Sequence, residues 1–360
     1  MRTRIKAEIV IAGGGPAGSV LGLRLAQLGH DVCLLEKHRF PREHVGESLP
    51  PSIDPLLDFI GVKPAMEAAG FLRSSGAWIN WDGSGVQFRE TPAPGYQVDR
   101  SRFDAILLEA ARSAGVRVLD STPFDPDLID AAIVADASGR RCLTGGVKRL
   151  TGPRSLALYA YWQRKPWPDS CSRVEALQHG WMWAAPLTYS TSIVAAFTDP
   201  THHDKYDALL SESRLLPPSG HRGPIHVCDA TPWVSESMAS SNLIRVGEAA
   251  FAIDPLSSQG VQTAIASALQ AAVVVHTMLC KPEHAEVAIA FYNARQKSAA
   301  LRHAAIATSL YAEAAEFRGT PFWRTRAALA QLPIPFQPDS ACARIVGDFV
   351  EPAKMGASAA

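Results

Sequence analysis

The first third of the chain alternates short apolar runs with longer segments of mixed polarity. Residues 9–12 are an apolar run, residues 31–35 are apolar after Asp31, and residues 16–28 lie between them. Short apolar runs bounded by glycine predict buried strands, and the segment between them is long enough for a helix. Residues 1–55 therefore predict the strand–helix–strand opening of a Rossmann-type unit.

Later segments extend this pattern and then change it. The sequence predicts a helix over 102–114, strands over 116–119 and 131–135, a returning strand over 243–246 and a long apolar helix over 260–278. Between them, short β-rich pieces at 156–162, 181–185 and 192–197 predict an antiparallel sheet. Residues 283–331 are Ala-rich and predict helices, and the Pro-containing tail predicts a loosely ordered end.

The fold class predicted from this order is α/β, with two interleaved domains and a helical end. A discontinuous Rossmann-type domain takes residues 1–56, 97–155 and 241–282. An antiparallel β-sheet domain for substrate takes residues 57–96 and 156–240, and the C-terminal helices and tail take 283–360.

Composition excludes several function classes. Lys plus Arg and Asp plus Glu each number 35 in the 360 residues, so general charge gives no reason to expect nucleic acid or an anionic membrane as partner. The six cysteines are scattered without a C-x-x-C pair, which predicts no metal site, no disulfide framework and a cytoplasmic location. We expect neither a signal peptide nor an integral membrane span.

A glycine turn directly after the first strand carries the strongest chemical signal. Gly13, Gly15 and Gly18 form G-x-G-x-x-G, and Pro16 and Ala17 open the following helix. In this context the glycines permit the turn, the approach of a pyrophosphate and close packing of helix on strand. Glu36 ends the second strand, where an acid binds a ribose hydroxyl, so a dinucleotide site is predicted.

Four further segments carry a family resemblance that implies FAD as the dinucleotide. They are R-F-P-R-E-H-V-G-E-S-L at 39–49, V-D-R-S-R-F-D at 98–104, D-A-S-G at 136–139 and V-G-E-A-A-F-A-I-D-P-L-S-S-Q-G-V at 246–261. In this order they resemble the flavoprotein monooxygenase superfamily, within it the flavin-dependent halogenases and their non-halogenating relatives. The resemblance covers residues 1–280 and implies a fold like that of p-hydroxybenzoate hydroxylase.

The resemblance and the helix-start argument together assign a set of cofactor residues. Gly260 and Val261 begin a helix whose N–H groups would face the electron-rich edge of the flavin. Glu248 departs from the family, which usually has Asp there. The residues predicted to bind FAD are Gly13, Gly15, Pro16, Ala17, Gly18, Glu36, Lys37, Arg42, Ser48, Arg100, Asp136, Gly247, Asp254, Gln259, Gly260 and Val261.

The segment 181–186 is similar to the W-x-W-x-I-P signature of the halogenases, with Ala185 in place of Ile. In that family the tryptophans lie near the tunnel between flavin and substrate. Trp181 and Trp183 share one face of a strand by the period of two, so they are candidate substrate-pocket residues. A plain alternating core strand is the other interpretation.

Two departures argue against halogenation. Halogenases carry a lysine before a short aromatic strand, and in the stretch 70–81 that position is assigned by spacing to Arg73. A guanidinium stays protonated and cannot replace an amine that handles hypohalous acid, but it could grip a substrate carboxylate or carbonyl. Tryptophan halogenases also have a glutamate where Ser257 falls. Arg73 and Ser257 are therefore further candidate pocket residues.

The resemblance and these departures predict a flavin-dependent monooxygenase. Such an enzyme would hydroxylate an electron-rich aromatic ring through the C4a-hydroperoxide of FAD, with oxygen as co-substrate. The ring would belong to a small aromatic molecule or to a tryptophan in a peptide or protein, as in tryptophylquinone cofactor biogenesis. No catalytic base is singled out; His44 and His179 lie in suitable motifs.

Three other functions stay open at this point. They are a halogenase of an aromatic substrate, a flavoprotein similar to geranylgeranyl reductases, and a non-catalytic flavin-binding partner. The chain has a single G-x-G-x-x-G. FAD would therefore be reduced either by NAD(P)H that docks directly or through a separate flavin reductase.

Overall fold

A computed structural model describes residues 4–163, 167–202, 205–216, 220–328 and 343–353. The eight helices of these residues are α1 Pro16–Gln27, α2 Asp54–Phe59, α3 Lys63–Ala68, α4 Arg100–Ser113, α5 Tyr206–Glu212, α6 Gly260–Cys280, α7 Ala285–Arg318 and α8 Pro321–Ala327.

The strands of the described residues begin with β1 Ile5–Lys6, β2 Ile9–Ala12, β3 Val32–Leu35, β4 Ser48–Leu49, β5 Leu72–Asn80, β6 Gln87–Gln97, β7 Arg117–Leu119, β8 Ile129–Asp130, β9 Ile133–Asp136 and β10 Lys148–Leu150. They continue with β11 Leu156–Gln163, β12 Ser172–Leu177, β13 Gly180–Pro186, β14 Thr191–Thr198, β15 His221–Arg222, β16 His226–Asp229, β17 Trp233–Ser235, β18 Leu243–Arg245, β19 Phe251–Ala252, β20 Ala343–Val346 and β21 Phe349–Pro352.

A five-stranded parallel sheet in the order β18-β9-β2-β3-β7 forms the centre of the Rossmann-type part. β2 and β3 are fully buried, as their unbroken apolar runs predict. Helix α4 begins at Arg100, two residues earlier than predicted, because the Asp99 side chain accepts the N–H of Ser101 and caps it. The α/β fold class is confirmed.

The second large sheet has nine strands in the order β15-β11-β14-β13-β12-β5-β6-β4, with β16 also on β11. The prediction of an antiparallel sheet is correct for most pairs but wrong for one, since β5 and β12 run parallel. Their segments are far apart in sequence, and the chain forms much of the Rossmann-type part between them. A hairpin connection, which would force an antiparallel pair, is therefore absent at this point of the sheet.

The C-terminal helices cover one face of the nine-stranded sheet. Helices α7 and α8 pack against each other, and their aromatic side chains join a buried cluster with β13. The prediction of a loosely ordered tail is wrong for β20 and β21, which form a hairpin whose Val350 is fully buried. Pro333, Pro335 and Pro338 lie outside the described residues.

Among the described residues, α6 is the one helix with the length and apolar composition of a membrane span, with a mean hydropathy of 1.6. Half of that apolar window is buried inside the protein. The helix packs along α1 and α7, so its apolar surface is used in the core of the Rossmann-type part.

Candidate functional site

The glycine turn after β2 cannot accept larger side chains. Gly13 has a φ of +111°, and a Cβ added there would lie 2.5 Å from the carbonyl oxygen of Ala137. A Cβ at Gly18 would overlap the carbonyl oxygen of Gly13. The cap residue Gly15 gives α1 no side-chain hydrogen bond. The first backbone N–H groups of α1 therefore have no side-chain cap and can donate hydrogen bonds to a phosphate.

Glu36 is bound to this turn. Its Oε2 accepts the N–H of Gly14 at 2.8 Å, and its Oε1 accepts the N–H of His38 at 2.9 Å. The side chain is 4% exposed. Because each carboxylate oxygen has a second acceptor site, Glu36 can hold the turn and still accept a ribose hydroxyl.

Positively charged side chains lie beside the N-terminus of α1. A Cβ at Gly15 would lie 3.3 Å from a guanidinium nitrogen of Arg42, so this arginine borders the turn. Desolvation, together with the charges of Arg141 and Arg42, lowers the pKa of Lys37. Neighbouring cations repel each other unless an anion lies among them, and the pyrophosphate of a dinucleotide supplies that anion.

Arg100 is a buried anchor for the loop before β4. It pairs with Asp104 at 2.9 Å and donates to the carbonyl oxygens of Val45 at 2.8 Å and Gly46 at 3.3 Å. Asp104 is fully buried and also lies 3.4 Å from Arg42. Arg100 therefore positions the loop that carries the predicted cofactor residue Ser48, and direct contact with a cofactor is not needed for that role.

Asp136 is the last residue of β9, and its carboxylate already accepts four hydrogen bonds within the protein. It accepts the backbone and side-chain donors of Ser138 and Thr144 at 2.5 to 3.0 Å. Cofactor contact by its side chain would have to compete with these four bonds, so its geometry favours a role in shaping the 137–144 loop. Beside Ser48, β6 ends at Gln97, whose Oε1 is buried without a hydrogen-bond partner in the described structure.

The N-terminus of a second helix, α6, also has no side-chain cap, and it lies near the N-terminus of α1. Helix α6 begins at Gly260 after Gln259, and Gln259 gives no side-chain cap. Gly247, with a φ of +58°, holds this part against the start of α1, since a Cβ there would lie 2.9 Å from that of Ala17. Ser257 donates to the carbonyl oxygen of Asp254. Val261 follows Gly260 in the first turn, half-buried.

These features fit FAD. The uncapped start of α1, the nearby cations and Glu36 match a pyrophosphate and a ribose, and the buried unpartnered Oε1 of Gln97 lies beside β4. The start of α6 offers N–H groups to an electron-rich ring edge. Arg42, Lys37 and Glu36 would hold the nucleotide end, and Gly260 and Val261 the flavin end.

One face of the nine-stranded sheet is lined by aromatic side chains, and we call it the aromatic face: Tyr159, Tyr161, Trp181, Trp183 and Phe197. The register places Trp183 and Tyr159 on either side of Ala195, and Trp181 beside Phe197. Trp181 and Phe197 stack with centroids 3.9 Å apart. The predicted sharing of one strand face by Trp181 and Trp183 is confirmed.

The end of the aromatic face at Trp181 is covered. The indole N–H of Trp181 donates to the hydroxyl of Tyr311 at 3.1 Å, and that hydroxyl donates to Asp254 at 3.1 Å. Trp81 and Trp323 close around the ring of Tyr311. Asp254 is 7% exposed, and burial raises the pKa of its carboxyl.

The end at Tyr161 is open. Tyr161 is half-buried, and its hydroxyl donates to Oε1 of Glu47 at 2.8 Å. Glu47 is 1% exposed and also accepts the N–H of Gly46 at 2.7 Å. Burial raises the pKa of Glu47 to about 7, although both hydrogen bonds oppose the shift. The pair can therefore hold or release a proton near neutral pH.

Arg73 lies away from the covered end. Its guanidinium stacks 3.7 Å from the ring centroid of Tyr96, donates to the carbonyl oxygen of Pro94 and lies 3.6 Å from Asp54. Its side chain is 39% exposed. The predicted substrate-pocket role of Arg73 stays a prediction.

The two candidate histidines have local partners. His44 bonds through Nδ1 to the carbonyl oxygen of Val45 at 2.8 Å, and His179 stacks on His202. Glu47, Tyr161 and Tyr311 were not predicted as site residues. Glu47 and Tyr161 lie in segments singled out by pattern, 39–49 and 156–162, but nothing local reveals their pairing across 114 residues.

Comparisons with known proteins support one family. The family model described as tryptophan halogenase matches residues 8–91 and 127–354, well over half of the chain. Among curated proteins, the chain is 28% identical to the tryptophan 2-halogenase of Chondromyces crocatus, covering 90% of this chain and 71% of that protein. It is also 28% identical to the 1H-pyrrole-2-carbonyl-[peptidyl-carrier protein] chlorinase of Pseudomonas fluorescens Pf-5, covering 72% and 74%.

Two solved structures are similar over most of this chain. The flavin-dependent halogenase CmlS superposes with a TM-score of 0.83 at 26% identity, covering 89% of this chain and 68% of that one. The peptidyl tryptophan dihydroxylase QhpG, essential for tryptophylquinone cofactor biogenesis, superposes with a TM-score of 0.79 at 27% identity, covering 97% and 86%. The chain therefore belongs to the tryptophan halogenase family and is a flavin-dependent oxidoreductase that uses FAD and oxygen.

Proposed function

We propose that this enzyme hydroxylates an electron-rich aromatic ring and does not halogenate it. The observation that carries the proposal is the side chain at the position assigned to the family lysine. Arg73 stands there, and its guanidinium is held by Tyr96, Asp54 and Pro94. Among the described residues, Lys148 lies over Trp233 and Lys281 over Phe349, and neither of these rings belongs to the aromatic face.

The aromatic face would hold the substrate ring. The half-buried Tyr161 and Tyr159, the latter stacked on His226, would present ring surface that positions a substrate ring and keeps water from it, with buried Trp183 on the same face. Reduced FAD, when bound, would supply the electrons that activate molecular oxygen as an electrophile, and the oxygen atom transferred to the ring would come from O2. The residues of this chain need only orient the ring and manage protons.

Tyr161 and Glu47 would take the ring proton. When an aromatic carbon gains oxygen, it must lose its hydrogen as a proton before aromaticity returns, so an acceptor is needed. The Tyr161 hydroxyl donates to Glu47 at 2.8 Å and would pass its own proton to that carboxylate as it takes the ring proton. Glu47 is suited to this because its pKa lies at about 7, so the carboxylate is available at neutral pH.

The substrate we favour is a tryptophan within a peptide or protein. The support is the 27% identity to QhpG over almost the whole of this chain, and the absence of a lysine from the assigned position. A peptide is longer than a free amino acid and requires an open approach. Tyr159 and Tyr161 are half-buried, so that end of the aromatic face is reachable.

Halogenation is the second candidate. The curated relatives at 28% identity are a tryptophan halogenase and a carrier-protein chlorinase, and these names favour it directly. In that reaction Tyr161 and Glu47 would still take the ring proton, and an amine from another position would have to handle the hypohalous acid.

Mass spectrometry of products separates the two candidates. Free tryptophan and a tryptophan-containing peptide are incubated with the enzyme, FAD, a flavin reductase, NADH and oxygen, with and without chloride or bromide. We expect a gain of one or two oxygen atoms on the peptide, independent of halide. A halogenated product that requires halide would overturn the proposal, and Arg73→Lys tests whether an amine at this position introduces halide dependence.

A further inference from the structure

We propose that His30, His276 and Cys280 form a zinc site on the side of the Rossmann-type part opposite the candidate FAD site. His30 follows α1, and His276 and Cys280 lie one turn apart at the end of α6. The Nε2, Nδ1 and Sγ atoms of these residues lie within 4.8 Å of one another. They are three donors that converge from two separate chain segments.

The distances are close to those that zinc requires. The His30 Nε2 and His276 Nδ1 atoms are 2.8 Å apart, and His276 Nδ1 and Cys280 Sγ are 3.6 Å apart. Around tetrahedral zinc, two such nitrogens lie roughly 3.3 Å apart and a nitrogen and a sulfur roughly 3.6 Å apart, given the usual bond lengths. A small side-chain rotation at His30 would therefore admit the ion.

Glu8 prepares His30 for this role. Its Oε2 lies 2.9 Å from Nδ1 of His30, and the His30 side chain is 6% exposed. A carboxylate that accepts the Nδ1 proton leaves the Nε2 lone pair free and points it at the partner, an arrangement common behind metal-bound histidines. Two nitrogens and a thiolate favour zinc over magnesium or calcium, and solvent would complete the tetrahedron.

The position of the zinc site implies a structural role for the ion. Helices α1 and α6 pack along each other, and their starts lie at the pyrophosphate and flavin ends of the candidate FAD site. Zinc at the other ends would tie α6 to the turn after α1 and hold the two helices in register. The site would thus stabilise the frame of the FAD domain and leave the aromatic face unchanged.

Metal titration of the reduced, chelator-treated protein tests the proposal directly. We expect one zinc ion per chain in competition with a chromogenic chelator, and with cobalt a thiolate-to-cobalt charge-transfer band. Cys280→Ser should remove the band and weaken zinc binding at least 10-fold. Cys280 is exposed, so this variant should fold, and retained FAD binding checks that it has.

Cys228→Ser is the matched control, because Cys228 lies in β16 and should keep the band and the affinity of the wild type. His276→Ala provides a second test from the imidazole side and should weaken zinc binding as Cys280→Ser does. If the wild type takes up no stoichiometric zinc, or if Cys280→Ser binds cobalt with the same spectrum, the His30–His276 contact is a plain hydrogen bond and the proposal is wrong.

Discussion

The two ends of the aromatic face contain the same pair of groups in different surroundings. At the covered end the Tyr311 hydroxyl donates to Asp254, and at the open end the Tyr161 hydroxyl donates to Glu47. Both carboxyls are buried and both have raised pKa values, that of Glu47 being about 7. Chemistry alone therefore does not distinguish the two ends.

Solvent access to the tyrosine distinguishes the covered end from the open end. The Tyr311 hydroxyl also accepts the indole N–H of Trp181, and Tyr311 is 4% exposed. Its hydroxyl already accepts one hydrogen bond and donates another within the buried cluster. Tyr161 is half-buried, so solvent can reach part of its side chain. The same tyrosine–carboxylate pair therefore serves as a structural link at one end and as a candidate proton relay at the other.

The largest effect should come from Glu47→Gln. An amide cannot accept the ring proton that Tyr161 passes on, so we expect turnover of the aromatic substrate to fall by roughly 10²- to 10⁴-fold, the usual contribution of a general base. The pH dependence near the Glu47 pKa, about 7, should disappear as well. Product formation under saturating reduced FAD measures both quantities.

Glu43→Gln is the matched control, because Glu43 lies in the same loop but is exposed to solvent. It should retain turnover within about twofold, as substitutions of exposed side chains usually do. Equal losses in the two variants would mean that the loop, and not the carboxyl of Glu47, is responsible. The open end would then be no more catalytic than the covered end.

Local patterns explain why the cofactor half of the molecule was predictable. The apolar runs of β2 and β3, the glycines between them and Glu36 lie within one short stretch, so spacing alone indicates the turn and its acid. Arg100 and Asp136 were found by motif. Their side chains, however, are committed to Asp104, Ser138 and Thr144, which no motif reports.

The aromatic face was predictable only in part. Alternation placed Trp181 and Trp183 together, but the Tyr311–Asp254 contact joins residues 57 apart and the Tyr161–Glu47 contact residues 114 apart. Such pairs depend on how the sheet, α7 and the 45–49 loop pack. Arg73 shows the same limit, since spacing gives its place in β5 but not its stacking on Tyr96.

A second prediction uses the pH dependence of stability to compare wild type with Glu47→Gln. The folded-state pKa of Glu47, about 7, lies above its ordinary value of 4.5, so the native protein binds this proton more tightly than the unfolded chain does. Its stabilising contribution is full below pH 4.5 and is lost as the pH rises to about 7. The expected loss is about 3 kcal/mol.

Urea unfolding of the FAD-free proteins from pH 4.5 to 7.5 measures this quantity. Groups shared by both proteins cancel in the difference between their free energies of unfolding, so only the Glu47 contribution should change with pH. A difference that stays constant across this range would mean that Glu47 titrates normally. The open end would then lack the proton-holding property on which the comparison depends.

The smallest expected effect on stability comes from removing one hydroxyl at each end. Tyr311→Phe leaves buried Asp254 without its tyrosine donor and the Trp181 N–H without an acceptor, so we expect a loss of about 1–3 kcal/mol in stability. Tyr161→Phe should cost less stability, because water can replace a hydroxyl at the open end. It also removes the group that passes the ring proton to Glu47, so turnover should fall as it does in Glu47→Gln. Since the lost hydrogen bond favours the charged carboxylate, the pKa of Glu47 should rise, and the activity midpoint should move to higher pH. Thermal unfolding of both variants tests whether Tyr311→Phe loses more stability, and pH–rate profiles test whether Tyr161→Phe alone shifts the activity midpoint. A larger stability loss in Tyr161→Phe, or a pH shift in Tyr311→Phe alone, would reverse the assignment of the two ends.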